Sequence, residues 1–145
     1  MKIRLLLITA AFALAFGPLA RAADEPETEL GAKMEKMGGA FRALGRQISD
    51  SSKNADSLAK LATIRQNAEA SIKFEPAKKS EIPSAEQKKF VADYKAEMKK
   101  FLELCGKLEA ALKANDNAEA AKLCASMKDS QKAGHKKYKK DDKKK

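Results

Sequence analysis

The chain has 145 residues, with 30 Lys and Arg against 20 Asp and Glu, a formal charge of +10, two cysteines, one histidine and no tryptophan. That length supports one domain around one core. One histidine and two distant cysteines, in no CxxC or HExxH spacing, exclude a four-ligand zinc centre, and the lack of GxSxG excludes a nucleophile elbow.

The first element is a leader over residues 1–22. Lys2 and Arg4 precede an apolar run from Leu5 to Phe16, Gly17-Pro18 breaks it, and Ala20-Arg21-Ala22 gives small residues at a cleavage site. The run is short of the roughly 20 apolar residues a bilayer span needs, so a cleavable secretory signal is expected rather than an anchor. Export to a periplasm or cell exterior would permit disulfides. Three cations leave with the leader, so the mature 123 residues carry +7, and residues 136–145 alone carry +5. The basic balance therefore belongs mostly to the C-terminal stretch, and the domain proper is expected over 23–138 with a lysine-rich disordered tail at 139–145. Such a tail is a solvated end or, in a sharper reading, a dock for an acidic partner or an anionic lipid surface. Nucleic acid is a poor candidate, because no basic patch is interleaved with aromatic stacking residues.

Four helical segments follow. In the first, Leu30, Met34, Met37, Phe41, Leu44 and Ile48 recur at spacings of 3 and 4, and Gly38, Gly39 and Gly45 weaken it by roughly 1 kcal/mol each relative to Ala. Glycine there would also let a flat group approach the backbone. A polar linker, Ser49 to Asn54, leads to a second helix expected from about Ala55 to Phe74. Its apolar positions are Leu58, Leu61, Ile64, Ala68 and Ile72, with Arg65 read as interrupting that face. Pro76 and Pro83 mark the longest connection, Glu75 to Ser84, and Ser84 with Gln87 reads as a capping box.

The third helix carries the longest stripe, from Phe90 through Tyr94, Met98, Phe101, Cys105 and Leu108 to Leu112, over about six turns. After a tight turn at Asn115-Asp116-Asn117 comes the fourth, with Ala120, Cys124, Met127, Gln131, His135 and Tyr138 read as its inner face. Strand-like alternation is absent, and short connections make successive helices antiparallel neighbours. The expected fold is all-α, an antiparallel up-down-up-down four-helix bundle. Cys105 and Cys124 lie ten and nine residues from Asn115, so they fall opposite each other. A disulfide there and two small buried thiols are both open, since helix axes sit about 8–10 Å apart while a disulfide wants Cα atoms within about 7 Å.

Two metal-related signals remain. A lone imidazole near the end of the last helix and a thioether in the first form the donor pair of six-coordinate haem iron in electron carriers, giving Met34 and His135. Met34 and Met37 also make an MxxM pair of the kind soft Cu(I) accepts. Plain core packing is the ordinary use of methionine at this spacing.

From Glu29 to Tyr138 the chain resembles the cytochrome b562 family. Leu30-Gly31-Ala32-Lys33-Met34-Glu35 is similar to that family's first-helix stretch, and Ala133-Gly134-His135-Lys136-Lys137-Tyr138-Lys139 to its closing motif. Between them come an Ala/Leu-rich second helix, a lysine- and proline-bearing loop, and Lys89-Phe90 opening the third helix. The resemblance implies a periplasmic, non-enzymatic electron-transfer protein binding one non-covalent haem b. Met34 and His135 would be the axial iron ligands, with Met37 the weaker choice for the thioether, and Phe90 and Tyr94 would be the pocket aromatics. Gln131 departs from the family's frequent arginine, and Gly134 from an aromatic beside the ligand, which would expose the haem edge. Related c-type bundles carry cysteines at these two positions, so the likeness is to the b type. Partners would be redox proteins, acidic ones being suited to the basic residues; a monomer without stable membrane insertion is expected. The alternatives are a copper-binding periplasmic protein using the MxxM pair, and a haem-free structural or chaperone-like bundle.

Overall fold

The computed structural model describes residues 28–140, so the leader at 1–22 and most of the lysine tail lie outside the described residues. Four helices run in chain order: α1 Glu29–Gly45, α2 Asn54–Ser71, α3 Ser84–Lys113 and α4 Asn117–Tyr138. Short 3-10 turns stand at Ser51–Lys53 and Ala77–Glu81, and no strand occurs among the described residues. The chain is an all-α four-helix bundle.

Local chemistry sets the helix ends. Thr28 Oγ1 accepts from the Gly31 N–H at 3.0 Å and opens α1. Asn115, at φ 56°, closes α3 in the left-handed region that asparagine tolerates. The Asp116 N–H then donates to Ala111 and the Asn115 N–H to Leu112, a Schellman closure, and Asp116 Oδ1 accepts from the Glu119 N–H to start α4. The expected capping box at Ser84 does not form. Pro83 takes the cap position with no side-chain bond, and the Gln87 amide turns back to the Ile82 carbonyl at 2.9 Å. The proline fixes the chain's entry into α3, leaving Ser84 already helical.

One core runs the length of the bundle. Phe41 and Leu44 of α1, Leu61, Ile64 and Ala68 of α2, Met98 through Leu112 of α3, and Ala120, Cys124 and Met127 of α4 are buried in it. A fully buried leucine or isoleucine such as Leu44, Ile64 or Leu108 contributes roughly 1.5–3 kcal/mol. The inner face of α2 is Ser57, Leu61, Ile64, Ala68 and Ser71, so two buried serines end it, and Arg65 lies outside it rather than interrupting it. Arg65 is exposed and bridges Glu69 and Glu109, both at 3.1 Å. Cys105 and Cys124 are buried free thiols, so the disulfide left open by the sequence is not made in this structure.

Helix packing is uneven around the bundle. α1 lies along α2, α2 along α3 and α3 along α4, while the seam between α1 and α4 has no comparable backbone approach. The two ends also differ. At the turn end, Asn54 Nδ2 donates to the Leu112 carbonyl at 3.3 Å and to the side-chain oxygens of Asn115 and Asn117. Asn117 Nδ2 donates to the Ile48 carbonyl at 2.7 Å and to Asn54 Oδ1 at 2.9 Å. Gln47 reaches Ser57 Oγ and Asp56 beside them.

Candidate functional site

The opposite end gathers the start of α1, the end of α2, the start of α3 and the end of α4, because successive helices alternate in direction. Met34 and His135 share this end by topology. Met34, in the second turn of α1, is half-buried and packs against the core, whereas Met37 is buried within it. Met37 is thus taken up by packing, and the more accessible thioether is Met34. Gly38 is buried with the Arg42 guanidinium 3.7 Å from where a Cβ would stand, while a Cβ at Gly39 would meet open space.

Phe90, Tyr94 and Tyr138 form an aromatic cluster at this end. The Phe90 and Tyr138 rings stand 5.1 Å apart, and Tyr94 meets Tyr138 edge-on at 5.4 Å. The Tyr94 hydroxyl donates to the Ser71 carbonyl at 3.1 Å. Ser71 is the last residue of α2, and its carbonyl also accepts from the Phe74 N–H at 3.1 Å, so Tyr94 adds a second bond that ties the end of α2 to α3. Burial pushes the Tyr94 phenol up to about 12, which keeps it a neutral donor. The Tyr138 hydroxyl, by contrast, is buried with no hydrogen-bond partner among the described residues. The Lys137 ammonium lies 5.1 Å from the Tyr138 ring centre and 3.5 Å from Asp93, which Lys89 also holds at 2.8 Å.

His135 stands differently from the inner stripe on which the sequence set it. It is exposed, and the stripe of α4 continues from Met127 through half-buried Gln131 and Gly134 to buried Tyr138. Residues 131, 135 and 138 and residues 131, 134 and 138 satisfy helical spacing equally, so periodicity alone could not choose between Gly134 and His135. One residue turns the helix by about 100°, which carries His135 to the margin of the core face. Partial burial of the ring, and then the charge of Lys139, hold its pKa below the usual histidine range. Neither ring nitrogen has a hydrogen-bond partner among the described residues, and a Cβ at the adjacent Gly134 would meet open space.

The structure therefore joins Phe90 and Tyr94 through Tyr138, a residue the sequence placed on the inner face without giving it a part in the site. Its signal was present, since Tyr138 completes the spacing that begins at Met127. The partnership of Tyr94 with Ser71 had no such signal, because a carbonyl has no residue code. Two surface clefts, of about 390 Å³ beside Lys79 and Gln87 and about 230 Å³ beside Arg65 and Glu109, are lined by none of Met34, His135, Phe90 or Tyr94. No group of three or more His, Cys, Asp or Glu side chains suited to a metal ion occurs among the described residues.

The donor set at this end fits a haem better than a hard or borderline metal. It offers one thioether and one imidazole on two helices whose backbones do not approach closely, aromatic rings between α3 and α4, and a buried hydroxyl with its hydrogen unspent. Among the described residues no helix is long and apolar enough to cross a membrane. No curated protein and no solved structure is significantly similar to the chain. The family model for cytochrome b562 matches residues 29–139, all four helices from the first residue of α1 to just past the end of α4. The chain belongs to the cytochrome b562 family, whose members are haem-binding four-helix bundles that carry electrons and catalyse no reaction.

Proposed function

We propose that this protein is a periplasmic electron carrier holding one non-covalent haem b, with the Met34 thioether and the His135 imidazole as axial ligands. The observation that carries the reading is the family match together with the seam between α1 and α4, whose two helices bear these residues at the same end of the bundle. When bound, haem supplies a one-electron ferric/ferrous couple. The work of the chain's own residues is positional. α1 and α4 are fixed through α2 and α3 rather than through each other, so each ligand keeps its helix's place while the seam takes in a flat group. Met37, Phe41 and Leu44 back Met34 with packed core, and Tyr94, tied to α2, braces the aromatic cluster beneath Tyr138. Thioether donation favours the ferrous state and raises the potential relative to two imidazoles. The family is periplasmic, which agrees with export by the leader at 1–22.

Burial of Met37 argues against the copper reading, which needs both thioethers free to bind. The test is an absorption titration of the mature protein with haemin, oxidised and then reduced with dithionite. Saturation at one equivalent with a sharp Soret band, and resolved α and β bands on reduction, are expected. Met34→Ala and His135→Ala should each abolish the six-coordinate spectrum while the far-UV helical signal persists. A spectrum like that of free haemin in the unsubstituted chain would refute the proposal.

A further inference from the structure

The lysines are distributed very differently over the two ends of the bundle. Around the turns, residues 46–60 and 109–122 hold five cations and five anions. There Lys53 pairs with Asp50, Lys60 with Asp56, Lys113 with Glu109 and Lys122 with Glu119. At the other end, residues 130–140 contain five lysines and no Asp or Glu; Lys137 pairs with Asp93 and Lys140 with Glu81, and Asp129 is the nearest carboxylate on the helix itself. Lys128, Lys132 and Lys136 stand exposed one turn apart on α4, and among the described residues none of the three has an ion pair. Like charges at that spacing repel one another, so this row does not serve the helix that carries it. Only Lys136 and Lys137 sit in the last turn, where the helix dipole rewards a cation. Lys78, from the turn after α2, adds its ammonium 3.4 Å from the Lys136 carbonyl and brings another cation to the same surface. His135 lies exposed beside this row.

We infer that the exposed face of α4 formed by Lys128, Lys132 and Lys136, beside His135, is the docking surface for an acidic redox protein. The inference rests on the proposed function for its electron-transfer purpose, though the surface itself exists without haem. A net positive field around that edge steers an oppositely charged partner and orients it with the edge inward. A protein partner is favoured over a lipid surface because the face is rigid helix, and the exposed residues among its lysines include no large apolar side chain to enter a bilayer.

The experiment is an NMR titration of the isotope-labelled mature protein, haem-free and haemin-loaded, with oxidised flavodoxin as an acidic protein probe and cytochrome c as a basic control. Phosphatidylglycerol vesicles form a separate arm. Flavodoxin should shift the amides around Lys128, Lys132 and Lys136 in both forms. Raising salt from about 10 mM to about 300 mM should weaken the binding at least tenfold. The pair Lys132→Glu and Lys136→Glu should weaken it by a similar factor, and the pair Lys113→Glu and Lys122→Glu at the far end should change it less than about twofold. Binding that survives reversal at Lys132 and Lys136, shifts confined to the turn end, or binding to the vesicles but not to flavodoxin would each overturn the inference. Loss of the haem spectrum with flavodoxin binding intact would sink the proposed function and leave the docking surface standing.

Discussion

The turn end and the ligand end of this bundle are built from the same four helices but solve opposite problems. At the turn end, Asn54 and Asn117 exchange amide hydrogen bonds and reach the carbonyls of Leu112 and Ile48, so the α1–α2 and α3–α4 connections are locked to each other. Its lysines are paired. At the end that carries the proposed ligands a tyrosine hydroxyl is buried without a partner among the described residues, an imidazole stands exposed, and Lys128, Lys132 and Lys136 stand without ion pairs. Satisfied polar networks rigidify, whereas unspent polar groups are tolerated where something else is to bind. The satisfied polar contacts are thus concentrated at one end and the proposed ligands at the other.

The largest effect that separates the ends should come from Asn54→Ala. Removing this buried amide takes the side-chain donor from the Leu112 carbonyl, which keeps the Asn115 N–H, and both Asn54 bonds from Asn117, which keeps the Ile48 carbonyl, at a cost of about 2 kcal/mol. Urea unfolding of the haem-free protein with its thiols reduced measures this, and a loss below about 1 kcal/mol would remove the turn network from its place as the lock.

Next in size is an alkaline limb belonging to the core between the ends. Burial pushes the Cys105 thiol up to about 12 from an ordinary value of 9.0, against the opposing pull of Arg65, and burial pushes Tyr94 up to about 12 from 10.0. Below about pH 8 both groups are protonated whether the chain is folded or not, and their contribution is full. Above it the unfolded chain ionises first, so stability falls as pH climbs towards 12. Cys105→Ala should flatten that fall between pH 9 and pH 11 in denaturant titrations, whatever it costs at neutral pH.

A smaller and more pointed contrast lies between two tyrosines. Tyr94→Phe removes one of the two donors to the Ser71 carbonyl, leaving the Phe74 N–H, and should cost about 1 kcal/mol in the haem-free protein. Tyr138→Phe removes a hydroxyl that has no partner, and should be neutral or stabilising by up to about 1 kcal/mol in the same assay. Equal losses from the two would mean that Tyr138 has a partner in solution, and the ligand end would then be as satisfied as the turn end.

Much of this was legible in the sequence because helical spacing is a statement about burial. The stripes from Met37 to Ile48 and from Tyr94 to Leu112 are buried throughout their length in the structure. The Asn115 turn was legible too, since left-handed backbone has few candidate residues. What spacing could not resolve was rotation within a few tens of degrees, which is why His135 was read inward and stands at the margin, and why Arg65 was read on a face it does not share. Contacts that run from side chain to backbone across helices, such as Asn54 to Leu112 and Tyr94 to Ser71, leave no periodic trace. The cap at Ser84 failed for a local reason, because Pro83 already fixes the backbone that a capping serine would have organised.

The smallest expected effect is on the acid side, and it tests whether the paired lysines of the turn end matter at all. Hydrogen bonds from Lys60 and then Gln47 hold Asp56 below its ordinary range, one from Ser52 does the same for Asp50, and Lys113 followed by Arg65 lowers Glu109. Each carboxylate therefore favours folding when ionised, and that contribution is complete above the unfolded pKa near 4 and lost as pH falls through the lower folded value. All are solvent-exposed, so the loss is shallow and salt-screened. Hydrogen exchange at about pH 4 and pH 2.5, corrected for intrinsic rates, should show protection falling first around residues 46–57, while the lysine-rich end of α4, which has no carboxylate of its own beyond Asp129, changes least. If the end of α4 loses protection first, its cations depend on Asp93 and Glu81 for stability, and the division between a locking end and a binding end would fail at its weakest point.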